Sequence, residues 1–167
     1  MSDLAHLMAH AALVGFGATA CMDAWWLLQK RVFGVPVLDY AMVGRWLGHF
    51  ARGRMRHEAI TATTPVAGER ALGWIAHYAI GMGIAALLLA LVGVGWAHAP
   101  SVAPALVVGL ISVLAPFLVL QPALGVGIAA SRAPHPGAAR RRSLVTHLVF
   151  GLGLYLAAEG WASLFSW

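Results

Sequence analysis

Charge is scarce in this chain, and acid scarcer still: six Asp and Glu and eleven Lys and Arg among 167 residues, 10% charged in all. Soluble domains carry about 25% charged residues. With 60% hydrophobic residues and a mean hydropathy of +0.79, that poverty excludes a water-soluble globule. It also excludes a disordered chain, which would be poor in apolar residues and rich in charge. Cysteine is nearly absent. Cys21 stands alone, so there is no internal disulfide framework and no multi-cysteine metal site; in an apolar run it reads as a packing residue. No Ser/His/Asp order, glycine-rich phosphate loop or carboxylate pair stands out. No catalytic residue is therefore assigned, and the expectation is a protein that is not an enzyme. What remains is a single membrane domain over residues 1–167.

A membrane-crossing helix needs about 20 apolar residues, at about 1.5 Å per residue through a core about 30 Å thick. Four stretches qualify: His6–Leu28, Leu72–Trp96, Val102–Ala130 and Leu144–Trp161. Ala97–Ser101 joins the second to the third as a hairpin turn, while Gln29–Ala71 and Ser131–Ser143 are longer connections. Every Lys and Arg lies in those two connections. Cytoplasmic loops hold the basic excess, which predicts both termini on the periplasmic side of a bacterial inner membrane. The net charge of +5 and pI near 10.4 are then a topology signal and a contact for lipid headgroups, with no nucleic-acid partner implied. The tryptophans agree: Trp25, Trp26 and Trp74 fall at inner span ends, and Trp96, Trp161 and Trp167 at outer ones. The first span lacks a positive n-region, so it is expected to be an uncleaved span rather than a signal peptide.

The first connection predicts an amphipathic helix over about residues 40–55. Tyr40, Val43, Leu47 and Phe50 form an apolar stripe and Arg45, His49, Arg52 and Arg56 a basic one. Asp39 is placed to cap its start. Such a helix lies in the headgroup layer, with Trp46, Arg45, Arg52 and Arg56 facing lipid. Thr64-Pro65 gives a second helix-start signal leading into span two.

Span two contains His77-x-x-x-Gly81-x-Gly83 and span four His147-x-x-x-Gly151-x-Gly153. Spans one and three give a fainter echo, with Asp23 thirteen residues before Pro36 and Gln121 thirteen before Pro134. The pattern predicts an internal repeat, two tandem helical hairpins related by an axis along the membrane normal. Each of Asp23, His77, Gln121 and His147 sits on a stripe of small residues spaced by four, such as Gly15, Thr19, Asp23 or Ser143, His147, Gly151. Small residues at that spacing mark close helix approach, and an ionisable side chain facing lipid is costly.

These four residues are the candidate ligand-binding set. An imidazole donates from one nitrogen and accepts at the other, so the set can bind or pass a small solute, an ion or a proton. The competing reading is that they only hydrogen-bond helices together, as in an accessory or assembly subunit of a membrane complex. A third reading is a redox protein in which His77 and His147 ligate haem, with glycines one turn later making room for the porphyrin. His6 and His10, at i and i+4, with Glu159 at a comparable depth, form an outer candidate metal set. Its rival is a solvated helix end. Pro116 and Pro122 are expected to kink span three. Four helices make a thin wall for transport, so passage would call for a homo-oligomer.

The run Asp39–His49 (D-Y-A-M-V-G-R-W-L-G-H), with Thr64-Pro65-Val66 and Gly73–Tyr78, resembles a family of bacterial inner-membrane proteins of unknown function. Ala115-Pro116-Phe117, Gln121-Pro122-Ala123, Ala130-Ser131-Arg132 and His147–Gly153 are similar to its later motifs. The resemblance covers nearly the whole chain. It implies four spans, and brings no activity, cofactor or partner with it.

Overall fold

The computed structural model describes residues 3–35 and 38–164. Pro36 of the repeat spacing and Trp167 of the outer-end assignment lie outside the described residues. Among the described residues the chain is all-helical, 79% helix without a strand. The helices are α1 (Asp3–Phe33), α2 (Tyr40–Phe50), α3 (Glu69–Val92), α4 (Val102–Ile111), α5 (Gln121–Leu124) and α6 (Pro136–Leu164), with a π turn at Pro116–Leu120. Four stretches are long and apolar enough to cross a membrane: Leu4–Phe33, Glu69–Val92, Val102–Leu124 and Pro136–Leu164. Their outward sides carry large apolar residues such as Phe16, Ile75, Leu91, Val107 and Leu156, each at least half exposed. So continuous an apolar surface suits lipid and would aggregate in water.

The span boundaries shift from expectation for local reasons. Span two starts at Glu69 and ends at Val92, where Gly93 takes φ 90°; Trp96 falls in a separate 3-10 turn, its indole donating to the Ser101 carbonyl at 3.2 Å. The start signal at Thr64-Pro65 lies five residues ahead of that start, and the Thr64 carbonyl stands 2.9 Å from His49 Nε2. Span three stops at Leu124, six residues early, because Gly125 turns left-handed at φ 93°. A side chain at Gly125 would run into the Glu58 carbonyl, so glycine is required there on both counts. Span four begins at Pro136, with Arg140, Arg141 and Arg142 inside the helix.

The chain forms two compact units. Unit one comprises the described parts of Met1–Val35, Tyr78–Ser112 and Val145–Trp167. Its core is Ala11, Val14, Ala18, Met22, Ala85, Leu88, Leu89, Trp96, Ala97, Ala105, Phe150, Leu154 and Ala158. Many of these are small because the helices approach at backbone distance. Gly109 of α4 lies against Gly151 of α6, where a Cβ on Gly109 would also meet the His147 carbonyl at 2.8 Å. Contact of this kind replaces the hydrophobic drive that lipid does not supply.

Unit two comprises Pro36–His77 and Val113–Leu144. Asp39 caps α2 as expected, accepting from the Ala41 N–H at 3.0 Å. The helix ends at Phe50, short of residue 55, and Gly53 follows at φ 83°. α2 crosses the first turns of α3 in backbone contact, Gly44 against Glu69 and Gly73 against Tyr40. Tyr40, Ala41, Val43 and Gly44 are thereby buried by protein.

One expectation fails outright. Arg45 was expected to face lipid; it is 7% exposed and clamps Glu69 through two bonds of 2.9 and 2.7 Å. Its remaining amine donates to the Ile60 and Thr63 carbonyls at 3.3 and 3.0 Å. Glu69, 24 residues downstream, supplies the counter-charge that lets a basic-stripe residue turn inward, and its Oε2 also accepts from the Val66 N–H at 2.9 Å. The paired carboxylate raises the Arg45 pKa further. Arg52 and Arg56 are exposed. Trp46 is half-buried and donates its indole N–H to the Met55 carbonyl at 2.9 Å.

Candidate functional site

In unit one the polar groups of the spans come in pairs, each closed by a hydroxyl. Asp23 of α1 accepts from the Tyr78 hydroxyl of α3 at 2.9 Å, and Phe16 packs on the Tyr78 ring at 4.8 Å. His147 of α6 meets Ser112, just past α4, with Nδ1 2.7 Å from Oγ. Ser112 Oγ in turn donates to the Gly109 carbonyl at 2.6 Å. A serine has one hydroxyl hydrogen. Spent on Gly109, it would leave Oγ as the acceptor, Nδ1–H as the donor and the lone pair of a neutral His147 on Nε2. One residue earlier, Thr146 accepts from the Trp26 indole at 3.4 Å.

In unit two His77 stands 2.9 Å from the Tyr40 hydroxyl through Nε2, with the rings stacked at 4.2 Å. Trp74 packs tilted against Tyr40 at 4.6 Å and edge-on to His77 at 5.9 Å, so the three rings form one cluster. Gln121 differs from the rest: its Oε1 is buried without a hydrogen-bond partner. The expected stripe Gln121, Gly125, Ala129 does not form, because the helix ends at Leu124 and Ala129 sits at φ 47°. Asp23 and His147 thus belong to unit one, and His77 and Gln121 to unit two.

Tyr78, Ser112 and Tyr40 were missed as partners. Ser112 carried a faint signal as the lone hydroxyl between Val102 and Leu120; Tyr78 and Tyr40 carried none beyond adjacency to His77 and Asp39. The haem reading loses a ligand, since Tyr40 engages the nitrogen of His77 that an iron would take. Among the outer residues, His10 is buried, its Nδ1 2.7 Å from the His6 carbonyl, and its ring packs edge-on against His98 at 5.0 Å. Glu159 is hydrogen-bonded by Tyr155. Among the described residues no group of three His, Cys, Asp or Glu is placed to hold a metal ion.

A further histidine, not singled out by the sequence, is the least satisfied polar side chain of unit two. His57 is 5% exposed, and neither ring nitrogen closes a hydrogen bond. Its backbone N–H donates to the Ala123 carbonyl at 2.9 Å, and His49 packs edge-on at 5.4 Å. Burial pushes its pKa below the ordinary 6.5; the Ala123 carbonyl partly opposes this, and Arg54 and His49 add to it.

Residues 12–160 match the family described as Protein of unknown function (DUF2938). No curated protein matches the chain, and no solved structure does.

Proposed function

From the premise that the chain belongs to the DUF2938 family, over residues 12–160, we propose that it is a non-enzymatic, multi-pass protein of the bacterial inner membrane. On this reading it binds or passes a small solute, an ion or a proton at polar side chains inside its spans. The observation that carries the reading is the Ser112–His147 pair. With the serine hydrogen on Gly109 and the His147 Nδ1–H on Ser112, an arrangement both contacts allow, a neutral imidazole keeps an accepting Nε2 within an apolar helix. An ionisable group in a span is a functional candidate by default, and a held tautomer gives this one a defined accepting atom. Asp23, held by Tyr78 in the same unit, is a second ionisable group of the same kind. The confinement of Lys and Arg to two connections supports periplasmic termini.

A second reading has its own support. Asp23, His77 and His147 each already have a hydroxyl partner, as residues that only join helices would, and an accessory or assembly subunit would need no more. Proteoliposomes holding a pH-sensitive dye separate the two. The proposal expects the wild-type protein to relax an imposed pH step faster than empty vesicles, with His147→Gln slower by about a hundredfold, the low end for one lost proton-transfer group. Wild-type vesicles indistinguishable from empty ones would overturn proton passage. If Ser112→Ala then costs only about 0.6 kcal/mol, the average for a polar bond between membrane helices, the assembly reading takes its place.

A further inference from the structure

Unit two holds a cleft of about 480 Å³ walled by Arg56, His57, Glu58, Pro122, Ser131 and Arg132. Among the described residues, neither the Arg56 nor the Arg132 guanidinium makes a hydrogen bond or an ion pair. Both guanidiniums are exposed on the cleft and open to an anion. The His57 imidazole in the same wall is buried with both nitrogens unbonded. Tightening toward the Ala123 carbonyl would satisfy one nitrogen and leave the other, so the wall still lacks a polar partner. Ser131 adds a hydroxyl, and Glu58, exposed and without an ion pair, adds one negative charge to the rim.

We propose that this cleft binds a phosphodiester that carries an ammonium group, the chemistry of an aminophospholipid headgroup. The guanidiniums suit phosphate oxygens, which Arg binds with two parallel N–H bonds, and the exposed Ser131 adds a hydroxyl donor. Glu58 explains why a plain anion is the poorer fit: it would face a second negative charge, whereas an ammonium meets it as a counter-ion. Position along the chain fits a lipid source. Pro122 belongs to the last turn of the span Val102–Leu124, so the cleft opens where an apolar span ends and headgroups begin. A free zwitterionic phosphodiester has the same chemistry, and the experiment tells the two sources apart. The proposal is independent of the His147 reading, since every residue it uses lies in unit two.

The test uses the full chain in neutral detergent, titrated by calorimetry with dihexanoyl phosphatidylethanolamine, dihexanoyl phosphatidylglycerol and glycerophosphoethanolamine. The expected result is saturable binding of the ethanolamine lipid, at least about fivefold tighter than the glycerol lipid. An Arg56→Gln, Arg132→Gln double variant should weaken it by at least tenfold. Glu58→Gln should keep binding and abolish the preference between the two lipids. All three side chains are exposed, so an unchanged melting midpoint certifies the fold of each variant. Glycerophosphoethanolamine binding as tightly as the lipid assigns a soluble source; much weaker binding assigns the membrane. Wild-type preference for phosphatidylglycerol, or affinity unchanged in the double-arginine variant, overturns the proposal.

Discussion

His57 has a measurable signature of its own. Its imidazole titrates below 6.5 in the folded chain because burial disfavours the charged ring. Once the pH drops through 6.5, the unfolded chain takes up a proton that the folded chain refuses. Stability contributed by the neutral ring is therefore complete above about pH 6.5 and is lost as pH falls toward the lower folded value. Thermal unfolding followed by circular dichroism between about pH 5 and 8 should show a decline on acidification that is shallower in His57→Gln; equal slopes would sink this account. The single-residue scale is also where the sequence spoke least clearly. Asp23 and His147 stand out as polar residues in apolar runs, but their partners Tyr78 and Ser112 lie 55 and 35 residues away, and nothing local distinguishes those hydroxyls from others. Arg45 was misread for the same reason: periodicity shows which side of α2 it occupies and is blind to a distant Glu69.

At the scale of elements, hydropathy alone located the helices that can cross a membrane, and Asp39 marked the start of α2. Their ends were less legible, because several depend on which of 19 glycines takes a positive φ, and at Gly125 the added reason, the Glu58 carbonyl against it, is distant in sequence. α2 shows the limit of amphipathic reading. Its apolar face was expected to meet lipid, yet Tyr40 and Val43 are buried by protein where Gly44 and Gly73 bring the backbones together. Gly44→Val should push α2 off α3, costing about 1–3 kcal/mol as overpacking does. Hydrogen exchange of the α2 amides would read it: faster exchange in the variant is expected, and unchanged protection would mean the crossing is not tight.

For the whole molecule the strongest sequence signal is where positive charge is missing. No Lys or Arg occurs before Lys30, between Arg70 and Arg132, or after Arg142, a distribution that predicts an orientation from one residue class. Fusions at the carboxyl terminus should be active with a periplasmic reporter and silent with a cytoplasmic one, and a reporter placed within residues 131–143 should do the reverse; the opposite pattern would refute the orientation. The π turn in span three has a consequence for any comparison of this chain with its family. The Gln121 N–H bonds back to Pro116, five residues earlier rather than four, so the turn holds one residue more than an α turn. One residue is about 100° of helical rotation. The stretch after Leu120 is therefore out of phase with the stretch before Pro116, and no stripe counted in fours or sevens runs the length of that span. Relatives should be aligned there as two separately phased segments.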